Sequence, residues 1–543
     1  ARKEAFYNSI DRKVYNVVKD IQSTTGSASA LLQNVPSVQV DIEGNVSLRG
    51  DGNVLVLVNG KTSTMMGKNR AAVLEQMPAD GIEKIEVITN PSAKYKPDGT
   101  AGIINITLKR KQEPGYSGSV RTAVGTGRRA NAGFTANYNP GKYNLYGSAS
   151  VREDDRPRFS DDERSHPDST GTVVATSQKT TEEARPLTRL AQVGVDYKVD
   201  DRTKIGGAVN YNYRDYLRHS TVSSLTRNGA VVTKDYDRLR TDPEYEQDLE
   251  FTGTVQHTFP QEDHELNFEV KHGKTTEQED NRYANVYRTP VIATTFDNTL
   301  IKNTETSTEG TAEYVYPIDD DSKFEAGYNG QWNKVDLDFR GSFLNPATQA
   351  WQVDGTRTNR FIYDATVHAV YSTYARKIGN FGFLAGLRFE QALIHTDQVT
   401  ARLVDRNDYN RFYPSLHLSY NLTDSQQVQL NYSHRVHRPE GDDLNPFPEY
   451  QDPSNLRAGN PRLRPEEIHS VETGYQYKNN DTTYLATLYY RYRYHGMTDV
   501  ARFVDSTTLL PSRDGTVLFS TKENLGSSTS GGLELGATTR LQD

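Results

Sequence analysis

With 543 residues, the chain is long enough for several domains, and the absence of cysteine excludes disulfides, thiolate metal sites and a cysteine nucleophile. Its formal net charge of −8 excludes the basic excess that nucleic-acid binding requires. A mean hydropathy of −0.75 is low for a packed soluble protein, yet 33 tyrosines and 18 phenylalanines argue against a disordered chain, because disordered segments are poor in aromatic residues.

The N-terminal segment is the first feature along the chain. Residues 1–4 have neither the apolar stretch nor the cleavage site of a secretory signal, and we expect residues 1–11 to be an N-terminal remnant. The purest apolar run, Val54–Val58, is far shorter than the roughly 18 residues of a membrane helix. If the chain spans a membrane, it therefore does so with strands.

Residues 12–113 have the pattern of a compact α/β domain. The predicted elements are helices over 27–33 and 70–77 and strands over 46–48, 54–58, 82–88 and 103–108. Pro36 and Pro78 end the two helices, and Asn59-Gly60 is a turn dipeptide that tolerates positive φ. A charged and turn-rich stretch, 109–115, then breaks the pattern, as at a domain boundary.

From residue 114 to residue 543, apolar and polar residues alternate with a period of two. In 484–494, Leu488 and Tyr490 lie on one face of the predicted strand, and Thr487 and Arg491 lie on the other. Because Cβ atoms alternate sides along a strand, such segments present one surface to lipid and the other to water. Alternation in one strand is also common in soluble antiparallel sheets, and only the joint regularity of many strands favours a membrane barrel.

Short and long connections take turns along this region. Short turns are predicted at 139–141, 200–201, 261–263, 319–321, 378–380, 423–425 and 479–481, and long polar stretches at 153–185, 217–246, 275–305, 437–467 and 497–525. This order is typical of an outer-membrane barrel with short periplasmic turns and long external loops. The pattern predicts about 16 strands. Barrels of this class end on a terminal membrane strand, whereas this sequence stops where another short turn is expected. We therefore expect the barrel to be truncated.

A series of motifs in fixed order resembles the plug domain of TonB-dependent outer-membrane receptors. The motifs cover residues 31–38, 48–50, 56–60, 82–88, 90–95 and 99–106. In the second region, Arg438-Pro439 and the stretches 460–466 and 472–475 resemble a barrel signature of the same family. Ordinary loops of a soluble domain are the alternative explanation of the glycine- and proline-rich plug motifs.

The resemblance implies a transmembrane antiparallel β-barrel over 114–543, with 22 strands in the family and about 16 here, around a small α/β plug over 12–113. It implies a receptor in the outer membrane of a Gram-negative bacterium that imports an iron–siderophore or another large, scarce ligand. The implied partners are the TonB–ExbB–ExbD complex, a small-molecule or chelate ligand and outer-membrane lipid. A surface receptor for signalling or adhesion without transport is the alternative.

The same resemblance implies which residues form the site. Ligand contact is implied for Lys61, Thr62, Ser63, Thr64, Met65, Met66 and Tyr95, for which plain plug surface is the alternative. His437 is a further ligand-binding candidate because of its place beside a long predicted loop, and a polar barrel interior is the alternative there. Arg49 and Glu472 are implied to pair across the plug and the barrel. Thr89 stands where many members have an arginine, and residues 1–11 show no convincing TonB box.

Three histidines around one predicted loop, His434, His437 and His469, would suit a haem or metal cargo, but a polar barrel interior explains them equally well. We predict no metal site and no cofactor. The chain has no P-loop, no Gly-x-Ser-x-Gly element and no HExxH element, and we therefore predict a protein that is not an enzyme and has no catalytic residues.

Overall fold

The computed structural model describes residues 6–8, 11–17, 27–41, 44–62, 66, 70–77, 79–108, 114–155, 157–168, 170–452, 455–479, 482–505 and 516–539. A mixed α/β unit ends at Leu108, and a large antiparallel sheet begins at Gly115. Within the described ranges, no helix is both long enough and apolar enough to cross a membrane. We call residues 6–108 the plug and residues 115–539 the barrel.

The plug contains β1 (Phe6–Asn8), β2 (Lys13–Asn16), α1 (Ala28–Leu32), β3 (Val38–Val40), β4 (Val46–Leu48), β5 (Val54–Val58), α2 (Arg70–Gln76), a 3-10 turn (Ala79–Gly81), β6 (Ile82–Ile88) and β7 (Gly102–Leu108). Five strands form one sheet in the order β1–β2–β6–β7–β5, in which β5 and β7 run parallel. The predicted helices and strands of this unit are confirmed to within one residue at each end.

Local sequence explains the plug elements. Ser27 begins α1 because its hydroxyl accepts a hydrogen bond from the N–H of Ala30 at 3.3 Å. The apolar side chains of Leu31, Leu74 and Ile104 are fully buried and pack both helices against the sheet. Burying three such side chains stabilises the unit by roughly 1.5–3 kcal/mol each.

The barrel contains β8 (Gly115–Gly125), β9 (Arg129–Asn139), β10 (Tyr143–Glu153), β11 (Arg158–Pro167), β12 (Val173–Ala184), β13 (Leu187–Lys198), β14 (Thr203–Asn228), β15 (Val231–Thr258), β16 (Glu265–Thr289), β17 (Thr295–Asp319), β18 (Ser322–Leu344), β19 (Trp351–Ile378), β20 (Phe381–Gln398), β21 (Leu403–Arg406), β22 (Tyr409–Thr423), β23 (Gln426–His437), α3 (Gly441–Leu444), β24 (Glu449–Asp452), β25 (Asn455–Arg457), β26 (Glu466–Asn479), β27 (Thr482–Tyr494), β28 (Met497–Asp505), β29 (Thr516–Asn524) and β30 (Ser527–Thr539).

Sixteen of these strands form one antiparallel ladder that curls into a barrel, with β8 and β30 at the two ends of the ladder. In order they are β8, β9, β10, β13, β14, β15, β16, β17, β18, β19, β20, β22, β23, β26, β27 and β30. The predicted number of strands among the described residues is therefore confirmed.

Three of the predicted long loops are wrong, since most of 153–185, 217–246 and 275–305 is strand. In the second of them, β14 continues to Asn228 and only residues 229–230 connect it to β15. Polar pairs continue the ladder there, such as Arg218 Nη2 to Glu244 Oε2 at 2.9 Å. Cross-strand pairs of opposite charge stabilise a sheet in water as well as in a membrane, and a polar composition therefore does not end a strand.

The two faces of the barrel are the reverse of those of a soluble protein. Outward apolar side chains are exposed, as in Leu488 at 56% and Val370 at 52%, whereas the inward charges of Arg388 and Glu390 are 1% exposed. Exposed apolar residues at alternate positions, such as Phe268 and Val270 of β16, suit a lipid solvent. This arrangement excludes a two-layered sheet with a shared apolar interior.

The plug lies inside the barrel, because strands from opposite parts of the ladder contact it. Arg152 of β10 binds Glu75 of the plug at 2.9 Å, and Glu309 of β17 binds Lys96 at 2.8 Å. Glu534 of β30 binds the plug on a third side. The predicted enclosure of an α/β plug by a transmembrane barrel is thus confirmed.

The described parts of two segments, 441–452 with 455–465 and 497–505 with 516–525, fold together into a cap at the long-loop end. Strands β24, β25, β29 and β28 form its sheet, in which β25 and β29 run parallel although they come from different connections. Leu456 of this sheet is 1% exposed and packs with Val517 and with Phe339 of β18. The cap is connected to β23, β26, β27 and β30, and it contacts β18 on the opposite side of the wall.

Candidate functional site at the interface between the plug and the barrel

Arg49 is the centre of the first contact between the plug and the barrel. It follows β4 with a φ of 55°, and Gly50 follows with 78°, so that a tight turn aims the guanidinium at the wall. Arg49 Nη1 lies 2.9 Å from Glu472 Oε2, and Nη2 lies 2.6 Å from Glu534 Oε2. The ring of Tyr489 lies 4.1 Å from the guanidinium carbon. The structure thus brings together the two residues of the pair that the resemblance implied.

Both carboxylates have further partners in the plug. Thr89 Oγ1 donates to Glu472 at 3.0 Å, so that the threonine at the position of the missing arginine binds the same acceptor. Glu534 accepts hydrogen bonds from Ser37 at 2.9 Å and from Lys13 at 3.1 Å. Sequence reasoning missed Glu534, and its inward position among the alternating residues of β30 was the signal that could have found it.

Three lysines of the plug form a second contact, with β17 and β18. The pairs are Lys61 with Glu313 at 2.9 Å, Lys94 with Glu325 at 3.3 Å and Lys96 with Glu309 at 2.8 Å. Lysine side chains of the plug thus meet carboxylates of the wall on the side away from Arg49. This set was also missed, because lysines in turns are usually solvated.

The segment after the Asn59-Gly60 turn lies against the wall in its first residues. Thr62 donates to Glu309 through its hydroxyl and accepts from Lys271 Nζ through its carbonyl at 2.7 Å. Met66 packs on the apolar core of the plug. Ser63, Thr64 and Met65 lie outside the described residues. A ligand-binding role of Lys61, Thr62 and Met66 would therefore require these contacts to be released.

Tyr95 is partly buried inside the plug. It packs against Leu57, Ile88 and Ile103, and the guanidinium carbon of Arg12 lies 5.9 Å from its ring centroid. Burial raises the pKa of its hydroxyl above the ordinary value, although Arg12 opposes that shift. Tyr95 therefore lies in the interior of the plug, next to the residue that precedes β2.

The three histidines do not share one site. His434 and His469 stack with their ring centroids 4.4 Å apart on the outer face, which they share with the exposed Leu430 and Val471. His437 ends β23 and is half-buried. The suggestion of a haem or metal cargo bound by all three is not supported by this geometry, because two of them face away from the lumen.

The plug segment from Lys96 to Ala101 is held by arginines of the wall. Arg435 donates to the carbonyl of Gly99 at 2.9 Å, and the N–H of Val436 donates to the carbonyl of Pro97 at 3.0 Å. Arg438 binds the carboxylates of Asp98 and Glu390. The pairing of β22 with β23 ends at Ser415 and Ser433, so that β22 does not bind the N–H of Val436. The carbonyl of Pro97 in the plug segment accepts this hydrogen bond instead.

Electrostatics match this packing. Burial alone would lower the pKa of Arg49, but Glu534 and Glu472 hold it above its ordinary value. Burial alone would raise the pKa of Asp98, but Arg438 lowers it more. Burial lowers the pKa of Lys96 even though Glu309 opposes the shift. The interface therefore depends on paired charges that were removed from bulk water.

A small gap remains between the start of β2 and the barrel wall. It is lined by residues that include Arg12, Asn90, Asn431 and Glu472, and its volume is about 30 Å³. Such a volume has room for about two water molecules. With the plug in this position, the gap does not pass a nutrient.

The chain matches two family models, the Outer membrane protein beta-barrel family over residues 257–543 and the TonB-dependent Receptor Plug Domain over residues 14–103. The first covers more than half of the chain. The plug match lies within the plug of the structure, and the barrel match lies within the barrel.

Several solved structures share this fold. The copper transporter OprC is 15% identical with a TM-score of 0.63, over 98% of this chain and 77% of that one. The ferric enterobactin receptor PfeA from Pseudomonas aeruginosa is 14% identical with a TM-score of 0.63, over 98% and 78%. The unliganded ferric citrate transporter FecA is 15% identical with a TM-score of 0.58, over 98% and 78%. At such identities the likeness concerns the fold alone.

Family and structure lead to one assignment. The family models describe an outer-membrane barrel and a plug of the TonB-dependent type, which places the chain in the outer membrane of a Gram-negative bacterium. The match to the TonB-dependent plug also implies energy coupling through TonB and the binding of a small-molecule ligand. In the structure, the plug fills the lumen and ion pairs bind it to the wall, which is the arrangement expected of a gated receptor. The chain belongs to the family of TonB-dependent outer-membrane receptors.

Proposed function

We propose that this receptor imports a scarce nutrient, an iron–siderophore or another large ligand, with energy from the proton-motive force through the TonB–ExbB–ExbD complex. The ligand binds from the outside, beneath the cap, and the plug then moves to open a path. Lys61, Thr62 and the following residues to Met66 are the plug residues that we propose to meet the ligand, together with His437 and Tyr95.

The observation that carries this proposal is the way in which the plug is bound. Arg49, Lys61, Lys94 and Lys96 fasten it to the wall through ion pairs, not through a continuous apolar interface. Ion pairs between polar surfaces exchange with water at a modest net cost, because hydration replaces the lost partner. Such an interface suits a part that moves under an applied force.

The relatives point in the same direction. A copper transporter, a ferric enterobactin receptor and a ferric citrate transporter share the fold, and each of those names refers to a scarce metal or its chelate. They support nutrient import as the class of function.

A disulfide that locks the plug to the barrel tests import directly. The chain has no cysteine, so that a pair can be introduced without side reactions. Ala93→Cys with Ser415→Cys is suitable, because the Ala93 N–H donates to the Ser415 hydroxyl at 2.9 Å across the interface. We expect the oxidised pair to abolish growth on the single iron or glycan source that a deletion strain cannot use, and a reductant to restore it.

The control pair is Thr482→Cys with Thr539→Cys, whose hydroxyls are 2.7 Å apart on β27 and β30 and which leaves the plug free. This pair should not affect growth. If the locked plug supports the same energy-dependent uptake as the control, import by plug movement is wrong. If ligand binds but no uptake occurs in any variant, the protein is a surface receptor for signalling or adhesion.

A further inference from the structure

A group of carboxylates lies on β15 and β16, outside the part of the wall that crosses the membrane. Asp242 and Glu244 belong to β15, and Glu279 belongs to β16. The stretches 245–258 and 265–278 separate these residues from the short turn that joins the two strands. Each stretch is longer than the about 9–11 residues with which a strand crosses the bilayer. The three side chains therefore belong to the external part of the wall.

The three carboxylates are crowded together. One oxygen atom of each lies within 4.8 Å of the corresponding atoms of the other two. Glu244 and Glu279 are direct cross-strand partners, and like charges at such positions destabilise a sheet. The side chains of Asp242 and Glu244 are 0% and 4% exposed, so that bulk water screens the repulsion little. The arrangement therefore requires positive charge close to these oxygen atoms.

Arginines supply only part of that charge. Arg240 Nη2 lies 2.8 Å from Asp242 Oδ2, but Arg238, two residues away on the same strand, binds Asp297 instead. Three arginines form ion pairs with five carboxylates in this region, namely Arg214, Arg218 and Arg240 with Glu182, Asp242, Glu244, Glu246 and Glu279. This set carries an excess of two negative charges.

Asp242 gives an independent indication that a partner is missing. Its Oδ2 atom accepts a hydrogen bond from Arg240, but its Oδ1 atom is buried and has no hydrogen-bond partner among the described residues. A buried carboxylate oxygen without a partner is costly. A water molecule would donate to Oδ1, but it would not offset the two excess charges. A divalent cation would meet both needs, because it coordinates oxygen directly and carries two positive charges.

We propose that Asp242, Glu244 and Glu279 bind a calcium-sized divalent cation in the external part of the barrel wall. Calcium prefers carboxylate oxygens at about 2.3–2.6 Å, so that two of its ligands lie up to about 5 Å apart. The separations among the three carboxylates satisfy this limit. The cation offsets the excess charge and joins β15 to β16, and it thereby stiffens the external ends of these long strands.

Calcium titration of the full chain in detergent tests the site. Calcium is first removed with EGTA, and the melting temperature is then followed as calcium chloride is added at constant ionic strength. We expect the melting temperature to rise, with half of the effect at about 0.1–1 mM, the range of calcium sites in extracellular modules. A wild type whose melting temperature does not depend on calcium would overturn the proposal, and protons would then be the partners of the crowded carboxylates.

Glu279→Gln removes one ligand with little change in shape. It should raise the calcium concentration at half effect by at least about tenfold, because even residues behind the metal ligands change the affinity by about 10–100-fold. Asp280→Asn is the matched control, since Asp280 is the next residue of β16 and faces the other side of the sheet. This control should respond as the wild type does. Equal responses of Glu279→Gln and the wild type would contradict the proposal.

Crystals of the full chain grown with manganese chloride give a second measurement, which does not depend on the folding of a variant. Manganese takes carboxylate ligands as calcium does, and it scatters anomalously. We expect an anomalous difference peak between Asp242, Glu244 and Glu279. Density for water only at this position would overturn the proposal even if calcium raises the melting temperature, because calcium would then bind elsewhere.

Discussion

Arg49 and Glu534 are joined by two parallel hydrogen bonds, from Nε to Oε1 at 2.7 Å and from Nη2 to Oε2 at 2.6 Å. This is the bidentate geometry that makes arginine and carboxylate pairs strong and directional. The remaining terminal nitrogen, Nη1, reaches Glu472 at 2.9 Å. One guanidinium group of the plug therefore bridges β30 and β26, the two strands on either side of β27.

Arg49→Gln should loosen the plug, because it leaves Glu472 without its cation and Glu534 with Lys13 alone. Breaking one partner of a buried pair costs about 3–5 kcal/mol, and we expect about 3 kcal/mol because Glu534 is a quarter exposed. The measurement is the free energy of opening from hydrogen exchange at amides of β4 and β6. In a double-mutant cycle, Arg49→Gln should couple to Glu534→Gln. Additive effects of the two changes would show that the bond is energetically unimportant.

Gly102→Ala should destabilise the plug more than Gly60→Ala. A Cβ at Gly102, where φ is 133°, would meet the carbonyl oxygen of Ile88 at 2.7 Å and Leu48 Cδ2 at 2.8 Å. At Gly60 φ is also positive, at 80°, but nothing lies within 4 Å of the added atom. We expect about 1 kcal/mol at Gly60 from the backbone and about 1–3 kcal/mol more at Gly102 from overpacking. Urea unfolding of the plug measures both, and equal losses would contradict the clash.

The plug was predictable from the sequence because local rules dominate it. Ser27 and Pro36 bound α1, and the apolar run Val54–Val58 could only be a short buried strand. The barrel was predictable from alternation, since Leu488 and Thr487 must face different solvents. These features depend on neighbours in sequence, which a single chain reveals.

The partners across the interface were harder to predict. Glu534 and Glu309 look like ordinary inward polar positions, and only the position of the plug shows that they bind Arg49 and Lys96. The cap also escaped prediction, because β25 and β29 pair over more than 50 residues of chain. Contacts between distant segments have no local signature in the sequence. For this reason the polar end of β14, which pairs with β15, was predicted to be a loop.

Acid should loosen the plug segment around Asp98. Because its folded pKa lies below the ordinary carboxyl value, the ion pair with Arg438 contributes stability above about pH 4. That contribution is lost as the pH falls further, through the lower folded pKa. Asp98→Asn should remove this part of the acid sensitivity, measured as protease cleavage of the plug from about pH 6 to pH 3. Asp424→Asn, in the turn after β22, should leave the profile unchanged, and equal profiles for all three proteins would contradict the expectation.

The cap should open when its apolar contact with the wall is weakened. Leu456 is buried against Phe339 and Val517, and Leu456→Ala should cost about 2–5 kcal/mol in the closed position. We expect faster hydrogen exchange in β25 and β29 and no change in the plug. Leu525→Ala, at a side chain that is 49% exposed, is the control and should change little. If Leu456→Ala slows exchange or leaves it unchanged, the cap is not held by this cluster.

A charge on the outer face should interfere with membrane insertion. Leu488 is 56% exposed near the middle of β27, and its neighbour Thr487 faces the lumen with 6% exposure. We expect Leu488→Arg to reduce the free energy of folding into lipid vesicles by about 2–4 kcal/mol, because arginine is costly at the bilayer midplane. Urea titration of the folded fraction in vesicles measures the loss.

Val291→Arg is the matched control for this charge. Val291 is 89% exposed, but it lies in the connection between β16 and β17, at the far end of two long strands and outside the apolar band. Because water surrounds that connection, the same substitution should cost less than about 0.5 kcal/mol. Equal losses at the two positions would mean that Leu488 does not face lipid, and the outer surface of the barrel would then need another explanation.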